Sequence, residues 1–150
     1  MEIRLLVART EIEIGAPPET VWDVLADARA YGEWVVGTKG ITRADADWPR
    51  VGTALEYEVG FEPFTVGDRT EVLEADRPQL LVLRAELQRL GAAMIRLELE
   101  PLADGTHVVM DEEPVDGVAG ALHNRLTDGA LARRNDVALG RLKRLAEARA

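Results

Sequence analysis

The chain has 150 residues, a net charge of −9, no cysteine and no serine. This is the size of one domain with a substantial core, and it excludes disulfides, thiolate metal sites and serine or cysteine nucleophiles. An acidic chain is a poor partner for nucleic acid, and no run approaches the twenty apolar residues that a membrane span needs.

The start, MEIRLLVART, lacks a basic region followed by a long apolar one, so no secretory signal is expected. With cysteine absent, the expected location is cytoplasmic. Lysine occurs only at Lys39 and Lys143, and an arginine- and alanine-rich composition points to a GC-rich bacterial source.

From Arg9 to Ile14 the residues alternate: Thr10, Ile12 and Ile14 on one side, Arg9, Glu11 and Glu13 on the other. That period of two predicts a strand with one dry and one wet face. Pro17 and Pro18 then suit a helix start, where missing N–H groups cost nothing, and Glu19 suits the positive end of the helix dipole. Val21, Trp22, Val24 and Leu25 form an apolar stripe, so a helix is predicted from about Pro18 to Ala28. Tyr31 and Trp34 are expected in a loop just past its end.

Alternation returns with Leu55, Tyr57 and Val59, then with Phe64, Val66, Asp68, Thr70 and Val72. Leu80 to Ala85 is more continuously apolar. Ala93, Ile95, Leu97 and Leu99 alternate again, and Val108 and Met110 mark a last strand after the turn Ala103-Asp104-Gly105. Turn signals this closely spaced favour antiparallel hairpins.

A helical region is predicted from about Val118 to Ala148. Its stripe is displaced near Asn124 to Gly129, where Asn, Thr, Asp and Gly are poor helix-interior residues, so a joint is expected there. Residues 125–150 carry seven basic and three acidic groups, a balance of +4 against −13 for the rest. Complementing the helix dipole is the expected role of these charges, with phosphate or anionic lipid as the alternative. The only long helix must cover one antiparallel sheet, an α+β arrangement in a single domain, 1–150.

No HExxH, phosphate-binding loop or dinucleotide fingerprint is present, and Gly37-Thr38-Lys39-Gly40 has the spacing of neither glycine loop. The two histidines, His107 and His123, show no metal-ligand spacing, so neither metal nor cofactor is expected. Chemistry therefore rests on polar residues of dry faces. Asp68 lies between Val66 and Thr70, Tyr57 between Leu55 and Val59, and Glu112 shares parity with Val108 and Met110. A carboxylate on a dry face needs a partner or loses its charge. For Asp68 three readings stand: an ion pair, with Arg84 across the hairpin as one partner, a solvated sheet end, or contact with a ligand. His123 and Asn124 stand at the expected joint, as caps or as a polar pocket rim.

The stretch APPETVWDVLADARAYGEWV, with VLEADRPQLLVL, DGTHVVM and RRNDVALGRLKRLAEA in that order, resembles the START/polyketide-cyclase-like (SRPBCC, helix-grip) superfamily over nearly the whole chain. The resemblance implies a curved seven-stranded antiparallel sheet wrapped around a long C-terminal helix, with small helices between strands 1 and 2. It implies an internal cavity for a hydrophobic small molecule, lipid- or polyketide-like, and a carrier or sensor role, with a cyclase or dehydratase as the alternative. The expected ligand-binding residues are Trp34, Leu55, Tyr57, Phe64, Asp68, Ile95, Leu97, Met110, Leu122, His123 and Leu126. The best candidates for acid/base chemistry are Asp68, Glu112 and His123. The sequence sets no oligomeric state.

Overall fold

A computed structural model describes residues 8–59, 66–86, 91–116 and 125–150, with the side chains of 66, 116 and 125–131 outside that description. Phe64, Leu122 and His123 lie outside the described residues, and so does the side chain of Leu126.

The first strand, β1 (Ala8–Ile14), buries Thr10 and Ile14 and turns Arg9, Glu11 and Glu13 to solvent. The extended backbone of Pro17 leads into α1 (Pro18–Leu25), whose stripe of Val21, Trp22, Val24 and Leu25 is buried. This helix is shorter than the sequence predicts. Asp27 accepts a hydrogen bond from the Arg29 N–H (3.0 Å) and caps a second helix, α2 (Ala28–Trp34). Tyr31 and Trp34 therefore stand on a helix and not in a loop, both turned inward with Ala30.

Six strands follow: β2 (Thr38–Ala44), β3 (Ala54–Val59), β4 (Val66–Asp76), β5 (Leu80–Glu86), β6 (Ala92–Leu102) and β7 (Gly105–Asp116). With β1 they form one antiparallel sheet in the order β1-β7-β6-β5-β4-β3-β2. The two helices bridge its opposite edges, and neighbours from β2 to β7 are consecutive in sequence. Register shifts at Thr38/Gly40, Ile41/Arg43, Val72/Glu74 and Ala92/Ala93 mark the bulges that help such a sheet curve.

The closing helix, α3 (Arg125–Arg149), lies against β1, α1 and α2. It runs unbroken from Arg125 through Gly129, so no joint falls between those residues; Asn124, where the expected joint begins, lies outside the described residues. Poor intrinsic propensity at Thr127, Asp128 and Gly129 is overridden there by the rest of the helix. Ala138, Leu139, Leu142 and Ala146 bury one line of α3 against Ile14, Val21, Val24, Leu97 and Val108 in a single core. Leu97, Leu139 and Leu142 have no exposed surface. Burying a leucine side chain in this way contributes roughly 1.5–3 kcal/mol.

The basic end of α3 does more than complement the helix dipole. Lys143 Nζ donates to the Glu13 carbonyl (3.0 Å) and to Glu147 (2.6 Å), and Glu147 accepts the Gly15 N–H (2.7 Å). Arg149 donates to Asp27 (2.8 Å). These contacts tie the helix end to β1 and to the α1–α2 junction.

Candidate functional site

A pocket of about 310 Å³, partly open to solvent, lies between the sheet, the α2–β2 connection and Arg134 of α3. Tyr31 and the segment Val35 to Thr38 form one wall, Tyr57, Val59 and Asp68 of β3 and β4 a second, and Ala85, Ala93, Ile95 and Glu112 a third. Arg134 of α3 reaches in from above. A smaller chamber of about 40 Å³ shares Tyr31, Val35, Val36, Ile95, Glu112 and Arg134 with it, and adds Trp34, Leu83, Met110, Asn135 and Ala138. A larger depression, about 750 Å³, lies on the surface beside the β4–β5 turn, among the exposed Arg96, Glu98 and Glu100. It is more open and less apolar than the pocket between sheet and helix, although Asp68, Glu86, Glu112 and Arg134 line the latter, and that makes it the poorer ligand site.

The alternation of β3 and β4 brings Tyr57 opposite Asp68, and Leu55 opposite Thr70. The helix cap at Asp27 aims Tyr31 at the same spot. Thr70 Oγ1 lies 2.8 Å from the Tyr31 hydroxyl and 2.5 Å from the Tyr57 hydroxyl, and the two phenols are 3.5 Å apart. Three hydroxyls thus satisfy one another in the core. Burial pushes both phenols above the ordinary tyrosine pKa, far above for Tyr31, so both keep their protons at neutral pH. Tyr31 also packs edge-on against Trp34 (5.7 Å between ring centres) and Trp48 (6.3 Å), which accounts for aromatics in an aromatic-poor chain.

Glu112 is turned inward on β7, as its parity predicts, and is buried. Both its carboxylate oxygens accept hydrogen bonds from Arg134 Nη2, at 3.1 and 3.0 Å. Burial raises the Glu112 pKa, and the attraction of Arg134 only partly offsets it. The Glu112 side chain is 6% exposed, the Arg134 side chain 42%.

Among the described residues, the buried polar atoms on these walls that make no hydrogen bond include Trp34 Nε1, Asn135 Nδ2 and Thr38 Oγ1. The contrast with Trp48 is direct, since its Nε1 donates to the Leu25 carbonyl at 3.1 Å. Buried polar groups are ordinarily satisfied, so such exceptions gathered around one cavity need an explanation.

Of the residues expected to meet a ligand, Trp34, Tyr57, Asp68, Ile95 and Met110 lie on these walls, and so does Glu112. Leu55 and Leu97 do not. Both are fully buried in the hydrophobic core. The register sets Arg84 opposite Glu71, with its Nε 3.7 Å from Glu86. Arg134 and Asn135 were not foreseen. Asn135 carried a signal: it stands three, four and seven residues before Ala138, Leu139 and Leu142, a polar residue on an apolar stripe.

Among the described residues no group of three or more His, Asp or Glu side chains is placed to hold a metal ion, and no helix is long and apolar enough to cross a membrane.

A curved antiparallel sheet of seven strands gripping a C-terminal helix, with a cavity between, defines a helix-grip protein. The chain belongs to the family described as polyketide cyclase / dehydrase and lipid transport, whose pattern it matches over residues 6–147. Among solved structures it is similar to protein NE0264 from Nitrosomonas europaea, with a TM-score of 0.77 at 16% identity, covering 99% of this chain and 98% of that one. TTHA0849 from Thermus thermophilus gives 0.73 at 19%, covering 97% and 99%. DynU16, a protein of the dynemicin biosynthetic locus, gives 0.70 at 19%; the match covers 94% of this chain and 47% of DynU16. No curated protein sequence matches the chain.

Proposed function

We propose that this protein binds a hydrophobic small molecule, lipid- or polyketide-like, in the internal cavity, in a carrier or sensor role. The observation that carries this reading is the cavity of about 310 Å³ between sheet and helix, walled largely by Val, Ala, Ile and Tyr side chains. Ligand pockets of this size and character bury most of a small apolar molecule and orient it with a few polar groups. The family description, which names lipid transport, supports the same reading.

A catalytic reading is favoured by one feature: Glu112, a buried carboxyl of raised pKa, and Asp68 face the same cavity. A carboxyl whose pKa is drawn toward neutrality suits proton transfer in a cyclisation or dehydration. Binding is preferred, since no nucleophile–base pair converges on the cavity among the described residues.

Native mass spectrometry of protein purified from its host tests the proposal. A retained mass that organic extraction removes is expected, and Ala93→Phe, which fills the cavity wall, should abolish it. A host-purified protein with no adduct, and no uptake of apolar compounds by the extracted protein, would sink the reading.

A further inference from the structure

We propose that the small inner chamber receives an uncharged oxygen acceptor of the ligand, a ketone or ester carbonyl, bound by the Nε1–H of Trp34 and the Nδ2–H of Asn135. This rests on the cavity being the ligand site.

The two donors come from different elements, Trp34 from the end of α2 and Asn135 from α3, and both line the same chamber. Trp34 is 4% exposed and Asn135 3%, so neither donor is served by bulk solvent. Neither has a partner among the described residues. An indole N–H can only donate, and an amide nitrogen carries two donors and no acceptor. What is missing from the chamber is therefore an acceptor. Its volume of about 40 Å³ suits one polar group and not a chain. The remaining walls include Leu83, Ile95, Met110 and Ala138, which suit the carbon skeleton behind that group.

Charge selects the kind of acceptor. Glu112 and Arg134 both line the chamber, and Arg134 Nη2 is already bonded to both carboxylate oxygens. A ligand carboxylate would set a second anion beside Glu112 in a poorly solvated site. A carbonyl accepts the same two hydrogen bonds without that repulsion. Asn135 costs the empty protein an unsatisfied amide on the apolar stripe of α3, and binding a carbonyl relieves that cost.

Three near-isosteric probes separate the cases: 2-acetylnaphthalene, 2-ethylnaphthalene and 2-naphthoate, titrated by fluorescence into the wild type, Trp34→Phe and Asn135→Leu. Affinity for the ketone should fall about tenfold in each variant, the value of one well-formed hydrogen bond. Affinity for the hydrocarbon should change much less than affinity for the ketone, and Asn135→Leu should melt no lower than the wild type. Independently of any variant, the carbonyl infrared band of the ketone bound to the wild type should lie below its position in cyclohexane. A band at the cyclohexane position, or ketone and hydrocarbon affinities that respond alike to both substitutions, overturns the proposal while leaving the apolar cavity intact. Tightest binding of the naphthoate overturns the selection for an uncharged group. Failure of all three probes to bind overturns the ligand site itself.

Discussion

Arg134 Nη2 of α3 bonds both carboxylate oxygens of Glu112 on β7, at 3.1 and 3.0 Å, across the top of the cavity. The two partners are unequally placed, one side chain nearly closed off and the other almost half in water. Removing one or the other should therefore have unequal consequences.

Arg134→Met leaves a buried carboxylate without its partner and should cost about 3–5 kcal/mol at neutral pH. Glu112→Gln leaves a guanidinium that solvent still reaches, and should cost less than half as much. Glu112 has a raised pKa in the fold, so the folded state holds its proton more tightly than the unfolded chain. Its contribution to stability is fully present below the ordinary carboxylate pKa and is lost as the pH rises through the raised one. Without Arg134 the pKa rises further. The deficit of Arg134→Met should accordingly shrink as the pH is lowered toward the carboxylate range, measured by urea unfolding at a series of pH values. An unchanging deficit would mean that Glu112 is not the group responsible.

Thr70→Val keeps the shape of a side chain with no exposed surface but deletes the oxygen shared by Tyr31 and Tyr57. Two buried phenols lose a partner, so a loss of about 1–3 kcal/mol is expected. In a Tyr57→Phe background the same substitution should cost less, because one of those phenols is gone. Equal losses in both backgrounds, read from denaturant midpoints, would show that the hydroxyls act independently.

Gly105 opens β7 where the backbone of β1 passes closest. A Cβ there would overlap the Ile14 carbonyl and press on Gly15 Cα. Backbone on that side cannot rotate away, so Gly105→Ala should destabilise by roughly 1–3 kcal/mol. Gly40, with open space where its Cβ would be, serves as the control, and Gly40→Ala should stay within about 0.5 kcal/mol. Matching thermal midpoints for the two variants would contradict this.

The strands that cover the core on one face were legible in the sequence because burial imposes a period of two. Leu55 with Tyr57, Leu97 with Leu99, and Val108 with Met110 and Glu112 all turn inward as their parity requires. β2 left no such trace. It is an edge strand with two register shifts, and none of its residues is fully buried, so nothing selects alternation there. The seven residues of α2 include Gly32 and are too short for a stripe; the cap at Asp27 was the only local mark. In the site, Asp68, Tyr57 and Glu112 stood out as polar residues among apolar neighbours of a strand. Arg134 did not, because an arginine on a basic helix looks the same in sequence whether it faces water or reaches a buried carboxylate.

The sheet order also governs when the molecule can assemble. β1 has one neighbour, β7, and Ile14 meets Thr106. Strands β2 to β7 can pair in succession as each hairpin closes, whereas β1 must wait for a partner most of the chain away. On a ribosome the strand of this sheet that emerges first is thus the last to be paired, and until then it exposes Ile12 and Ile14. Such distant closure slows folding. Arg134 and Asn135 arrive later still, so the cavity lacks a wall until α3 has been made.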